Sequence, residues 1–337
     1  MRGMRERRHR IVLILTALLA VSAAARAATL IVANKAEATV SLVALPQGKV
    51  VATLPVGTGP HEVAVTPSGK RALIANYGMP GQAGEGSTLT LIDVPAAKVL
   101  KTIDLGEYHR PHGLVFLDER RVLVTSEVSK ALLEVDVDAG KVTGTVPTGQ
   151  EISHMVAVTR DGRRAFVANI GSGSVSAVDL EEKKHLKDIP TGNGAEGITI
   201  TPDGKQVWVV NRAADTVTVI DAASLEILGS LPSAKFPIRA EATPDGRRVL
   251  VSNAQSGDLS VFTTADRKLE RRVSLDLGES SAPIGIEIAP DGKRAYVAHA
   301  GADQISIVDL KSWKRVGAFT AGKTPDGMGY SRMKVKK

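Results

Sequence analysis

Three of the chain's seven histidines, His61, His112 and His154, stand at one position of a phrase that returns about every 42 residues. At the same position of later copies stand Glu196, Ile238, Ile284 and Asp326. If the copies close into a circle, five consecutive positions read Asp, His, His, His, Glu. Neutral imidazoles and carboxylates converging on one point are donors for Zn²⁺, Cu²⁺ or Fe²⁺. The expected metal set is His61, His112, His154 and Glu196, with Asp326 and Arg239 joining them in ligand binding. Ile238 and Ile284 would make the opposite wall apolar, which suits a small ligand. A histidine at such a position can equally bond a neighbouring strand or a channel water. Arg239 could attract a carboxylate or pair with Glu62 or Glu241.

The elements that must position these residues follow from the phrase itself. Its clearest copies run Val63 to Asn76 and Ile198 to Asn211, with others starting near Val156, Ala240 and Ile286 and a weaker one at Leu114. In the fourth copy Gly197 to Thr201 alternates apolar and polar residues. Pro202-Asp203-Gly204-Lys205 then supplies a preset φ, a side chain that bonds its own backbone, and a residue tolerant of positive φ. Val207–Val210, Thr216–Asp221 and Leu225–Leu231 complete four strands. The third strand recurs at Thr39–Leu45, Thr88–Val94, Ala131–Val137, Ser174–Leu180, Asp258–Thr264 and Gln304–Leu310. With Thr216–Asp221 that makes seven units. The expected fold is an all-β, seven-bladed β-propeller of four-stranded antiparallel blades. Ala28–Gly57 supplies strands two to four of a last blade, and Thr324–Tyr330 supplies its first strand, so the two chain ends close the circle and remove free sheet edges.

The strand-two tetrads Leu73-Ile74-Ala75-Asn76, Phe166-Val167-Ala168-Asn169, Trp208-Val209-Val210-Asn211 and Tyr296-Val297-Ala298-His299 are variants of Tyr-Val-Thr-Asn. The chain from about Ala28 onward therefore resembles the YVTN-type β-propeller family. The resemblance implies the fold. Its relatives include surface-layer proteins, periplasmic binding propellers and propellers beside quinoprotein or haem systems, so it does not select one activity.

Arg2, Arg5, Arg7, Arg8 and Arg10 precede an apolar run, Ile11–Val21, and Ala25-Arg26-Ala27 fits a small-x-small cleavage site. Residues 1–27 are expected to be a Sec-type signal peptide, cleaved near Ala27/Ala28. Residues 28–337 would then be one propeller domain in the periplasm or secreted, with no membrane span after cleavage. Residues around Arg7-Arg8 fit twin-arginine export poorly, and the absence of cysteine excludes a lipoprotein anchor. Six Arg against Glu6 give this segment a charge of +5, which leaves +2 of the chain's +7 for the rest. A near-neutral propeller offers no electrostatic case for nucleic acid.

The lack of cysteine also excludes covalent c-type haem, thiolate copper and a Cys nucleophile. Aromatics at 3% are too sparse for sugar stacking or a tryptophan floor under a quinone. The Asp residues ending the third strands (Asp93, Asp136, Asp179, Asp221, Asp309) and the Asn residues ending the second (Asn34, Asn76, Asn169, Asn211, Asn253) read as turn caps. His185 and His299 read as solvated. Tyr77–Gly86, a Gly-rich connection longer than its counterparts, lies beside His61 and reads as functional. The function expected first is a binding module, a monomer taking a small-molecule ligand or a periplasmic protein partner at the channel mouth. A metal-dependent enzyme or redox accessory of lactonase or lyase type, and an envelope scaffold, are the alternatives.

Overall fold

The hairpin turn between the first two strands of the fourth copy is fixed by its own side chains. The Thr201 hydroxyl donates to Asp203 Oδ1 at 2.6 Å, Gly204 N–H donates to the Thr201 carbonyl at 2.7 Å, and Gly204 takes φ +73°. The same Thr-to-Asp bond recurs at Thr159–Asp161 and Thr243–Asp245. A β-carbon at Gly204 would therefore be strained by backbone conformation alone.

The structure is a computed structural model that describes residues 28–79 and 86–336. The proposed signal segment and most of the Gly-rich connection lie outside the described residues. Seven four-stranded antiparallel sheets form among those that are described. The first complete blade is Pro60–Val65, Arg71–Asn76, Thr88–Asp93 and Lys98–Asp104; the second begins at Pro111–Phe116 and the third at Ser153–Val158. Innermost strands of the next three are Ala195–Ile200, Pro237–Ala242 and Pro283–Ile288. The closing blade has the order Pro325–Ser331, Ala28–Asn34, Thr39–Leu45, Lys49–Pro55, with Val32 opposite Met328. The two ends of the described chain thus share one sheet, as the repeat pattern requires.

The core lies between blades. Leu73, Leu89 and Leu91 of the first complete blade pack against Leu114, Val122, Val124 and Leu133 of the second. Trp208 and Phe262, both fully buried, face each other across a later seam with ring centroids 6.0 Å apart. Outermost strands alternate instead, as Lys49–Pro55 does between exposed and half-buried residues, because only one face meets a neighbour. No helix among the described residues is long and apolar enough to cross a membrane.

The recurring Asp and Asn residues have different jobs. Asp136, Asp179 and Asp221 accept backbone N–H groups two and three residues on, which caps the turn. The Asn residues do not cap turns. Buried Asn76 donates to the hydroxyls of Thr88 and Thr90 at 3.0 Å each and accepts Gly57 N–H at 3.1 Å, tying its strand to the next one and to the chain arriving from the previous blade. Asn34, Asn169, Asn211 and Asn253 repeat the donor half of this clamp, each bridging to two side chains of the third strand. His299 occupies the clamp position of its blade. It is fully buried rather than solvated, and its Nε2 lies 2.9 Å from the Ser306 hydroxyl.

Candidate functional site

Every innermost strand breaks register against its neighbour at one place. The breaks fall between Pro60 and Val63, Pro111 and Leu114, Ser153 and Val156, Ala195 and Ile198, Pro237 and Arg239, and Pro283 and Gly285. In the closing blade the break lies opposite Met328 and Pro325. His61, His112, His154, Glu196, Ile238, Ile284 and Asp326 each sit inside one of these breaks. A bulge leaves its residue out of the ladder and re-aims the side chain; here all seven line one cavity of about 640 Å³ at the channel mouth. After His112, Glu196, Ile284 and Asp326 a glycine follows, which allows the blades to approach. A β-carbon on Gly113 would stand 2.8 Å from the His154 carbonyl oxygen.

A second ring of residues reaches the same cavity, of which the sequence marks only Tyr77, at the start of the Gly-rich connection. Lys35, Tyr77, Glu127, Ile170 and Arg212 each follow the last residue of a second strand, and all five line the mouth. Repeat alignment could have exposed them, as it did the first ring. Their types differ from blade to blade, so no recurrent spelling marks them.

The two rings interlock. Tyr77 donates to Glu127 Oε2 at 2.6 Å, and Glu127 Oε1 bonds His154 Nδ1. His154 Nε2 faces Glu196 Oε1 at 3.5 Å, and Arg212 Nη1 is 2.9 Å from Glu196 Oε2. Asp326 lies 3.7 Å from His61 Nε2 and 3.6 Å from Lys35 Nζ. His61 Nδ1 is 3.1 Å from the Gly59 carbonyl. The His112 and His154 rings lie against each other at 3.6 Å between centroids, and the His61 ring is 4.9 Å from that of His112. His112 Nδ1 is buried with no hydrogen-bond partner.

These contacts give the three histidines different charge states. Burial holds His112 well below the ordinary imidazole range, and the neighbouring His154 adds to the shift. Burial also lowers His61, against the pull of Asp326. For His154 burial acts downward too, but hydrogen bonds to Glu127 and Glu196 outweigh it and raise the group to about 9. Burial would raise Glu127, yet the His154 and Tyr77 bonds hold it below the ordinary carboxylate value. At neutral pH the mouth therefore holds one imidazolium paired with a carboxylate, beside two neutral imidazoles.

Arg239 sits deeper than the first ring. Its guanidinium is paired with Glu62 and lies 2.9 Å from Met155 Sδ. It lines both the mouth and a second channel cavity of about 300 Å³ that contains Glu62, Glu241 and Glu287. Burial pushes Glu241 up to about 7, against Arg239, and pushes Glu287 well above its ordinary value, with Glu241 adding. Of the four residues expected to hold a metal, His112 and His154 fall into a group of three donors whose ligand atoms all lie within 4.8 Å, and the third is Glu127. His61 and Glu196 stand beside this group, engaged with Asp326 and Arg212.

The fold and the double ring define a β-propeller with a polar channel mouth. Residues 119–282 match the model of the YNCE-like beta-propeller family. No curated protein sequence matches the chain. Among solved structures, Kuenenia stuttgartiensis Hydrazine Synthase is similar over 76% of this chain and 79% of that one, with 21% identity and a TM-score of 0.66. A functionally unknown protein from Desulfotomaculum acetoxidans DSM 771 is similar over 90% and 98%, with 13% identity and a TM-score of 0.75. At these identities the likeness is one of fold.

Proposed function

We propose that the chain is an exported binding propeller that takes a small polar ligand at the channel mouth. The observation that carries this reading is the convergence of both residue rings on one cavity of about 640 Å³, the size of a small-molecule site. Its lining offers neutral imidazoles, carboxylates and the cations of Lys35 and Arg212, over an apolar stretch from Ile170, Ile238 and Ile284. A rigid closed ring places these groups before any ligand arrives, which lowers the ordering cost of binding. Arg239 supports the floor through Glu62 rather than presenting a bare cation.

A metal-dependent enzyme of hydrolase or lyase type is the second reading. It rests on the grouping of His112, Glu127 and His154. A bound cation there would polarise a carbonyl or activate water.

The test of the first reading is a thermal-shift panel of small carboxylates, amines and amino acids on the chelator-treated chain. A ligand that raises the Tm of the native chain but not of Arg212→Ala supports it. A panel that shifts neither, at millimolar concentration, removes it. Intact mass of the exported chain, starting at Ala28, checks the compartment.

A further inference from the structure

We infer that His112, His154 and Glu127 form a binding site for one divalent transition cation of the zinc type. The inference rests on the mouth being the functional site and names what would anchor a ligand there.

The donor chemistry is two imidazoles and one carboxylate, a set that holds such an ion and leaves a coordination position open. All three ligand atoms lie within 4.8 Å of one another. Donors on a tetrahedral ion are about 3.4 Å apart, so side-chain movements of about 1 Å close the set. The residues are 2%, 9% and 6% exposed in the order named, so an ion would be screened from bulk water on most sides.

Two further observations point to an occupant. The first is His112 Nδ1, buried and without a partner. A buried polar atom left unmade costs about 1–3 kcal/mol, and a site that uses it recovers that cost. The second is outer support. Tyr77 holds Glu127 through its second oxygen at 2.6 Å, and Thr125 holds the His154 backbone by donating to its carbonyl at 2.5 Å. Partners of this kind fix the orientation of metal ligands. His61 and Glu196 fall outside the group whose ligand atoms lie within 4.8 Å of one another; His61 faces Asp326 and Glu196 faces Arg212 instead.

An ion taken up here replaces the proton between His154 and Glu127. With Glu127 the single carboxylate among the three ligands, a divalent ion keeps a residual positive charge, and Lys35 and Arg212 line the same cavity. The open position therefore suits a small oxyanion.

The experiment is a calorimetric titration of the chelator-stripped, untagged chain with ZnCl₂, repeated for His112→Ala, Glu127→Gln, His61→Ala and His185→Ala. The expected result is one zinc per native chain, at least about tenfold weaker in His112→Ala and Glu127→Gln and unaltered in His185→Ala. Intense visible absorption on Co²⁺ addition to the native chain gives a second readout, independent of whether a variant folds. No zinc uptake and no Co²⁺ spectrum would overturn the inference. So would uptake that survives Glu127→Gln but disappears in His61→Ala. Ligand binding in the thermal-shift panel without zinc uptake would remove this site alone and leave the binding reading standing; failure of both would remove both.

Discussion

Glu127 and His154 belong to neighbouring blades, and the carboxylate of one is bonded to Nδ1 of the other across the seam. The pair is buried on both sides. It makes His154 the charged member of a histidine trio whose other two members are neutral.

This difference is measurable. In the metal-free chain, histidine NMR should show one ring titrating near about 9 and a second, His112, neutral throughout the accessible range. Glu127→Gln should move the first value toward the ordinary 6.5. Because the folded value of His154 is raised, its stabilising effect is complete below about 6.5 and is lost as pH rises through about 9. A high value that persists in Glu127→Gln would assign the effect to Glu196 instead.

Low pH acts on the buried, neutral histidines, and His299 is the one outside the mouth. Burial, with Arg315 adding, lowers this clamp residue to about 4. A folded value below the unfolded one means that stability is present above pH 6.5 and is lost as pH falls toward 4, by about 3 kcal/mol for a shift of this size. His299→Asn restores the side chain used in five other blades and removes the titration. Its Tm should therefore fall less between pH 7 and pH 4.5 than that of the native chain. Equal falls would place the acid sensitivity elsewhere.

The Tyr77 hydroxyl should matter to metal uptake without being a ligand. Tyr77→Phe keeps the ring beside His61 and removes the bond to Glu127. Zinc affinity should drop about tenfold with one site retained. An unchanged isotherm would show that Glu127 needs no outer support.

Deeper in the channel, Glu62→Ala leaves the Arg239 guanidinium buried without its carboxylate. Breaking a buried pair from one side costs about 3–5 kcal/mol, which denaturant titration would read directly. A loss under about 1 kcal/mol would mean that water replaces the carboxylate.

Between blades, Trp208→Ala removes a fully buried ring that packs near Phe262 and donates to Gln206 Oε1 at 3.0 Å. The expected loss is about 3–5 kcal/mol by the same measurement.

The blades, their number and their closure were legible because each is spelled several times over. Thr201-Pro202-Asp203-Gly204 and its copies announce a turn, and equal spacing carries His61, His112, His154 and Glu196 to one place. Glu127 was not legible. It holds a position filled elsewhere by Lys35, Tyr77, Ile170 and Arg212, so nothing in its repeat marks it as a partner for His154. The clamp residues were misread for a related reason. A recurrent Asn at a strand end resembles a turn cap, and only burial against Thr88 and Thr90 distinguishes the two. His299 followed the same error, since its blade uses an imidazole where others use an amide. The sequence places a side chain on the axis; its rotamer decides what it meets there.

Lys35 and Asp326 pair in the blade that joins both ends of the described chain. One residue lies near the start of the described chain and the other near its end. The wall of the mouth is thus completed where Pro325–Ser331 seats beside Ala28–Asn34, bringing Asp326 to Lys35. A copy clipped before Pro325 would carry every imidazole of the site and still present an open trough instead of a closed cavity. The mouth is held closed by a strand distant in sequence from all three histidines that line it.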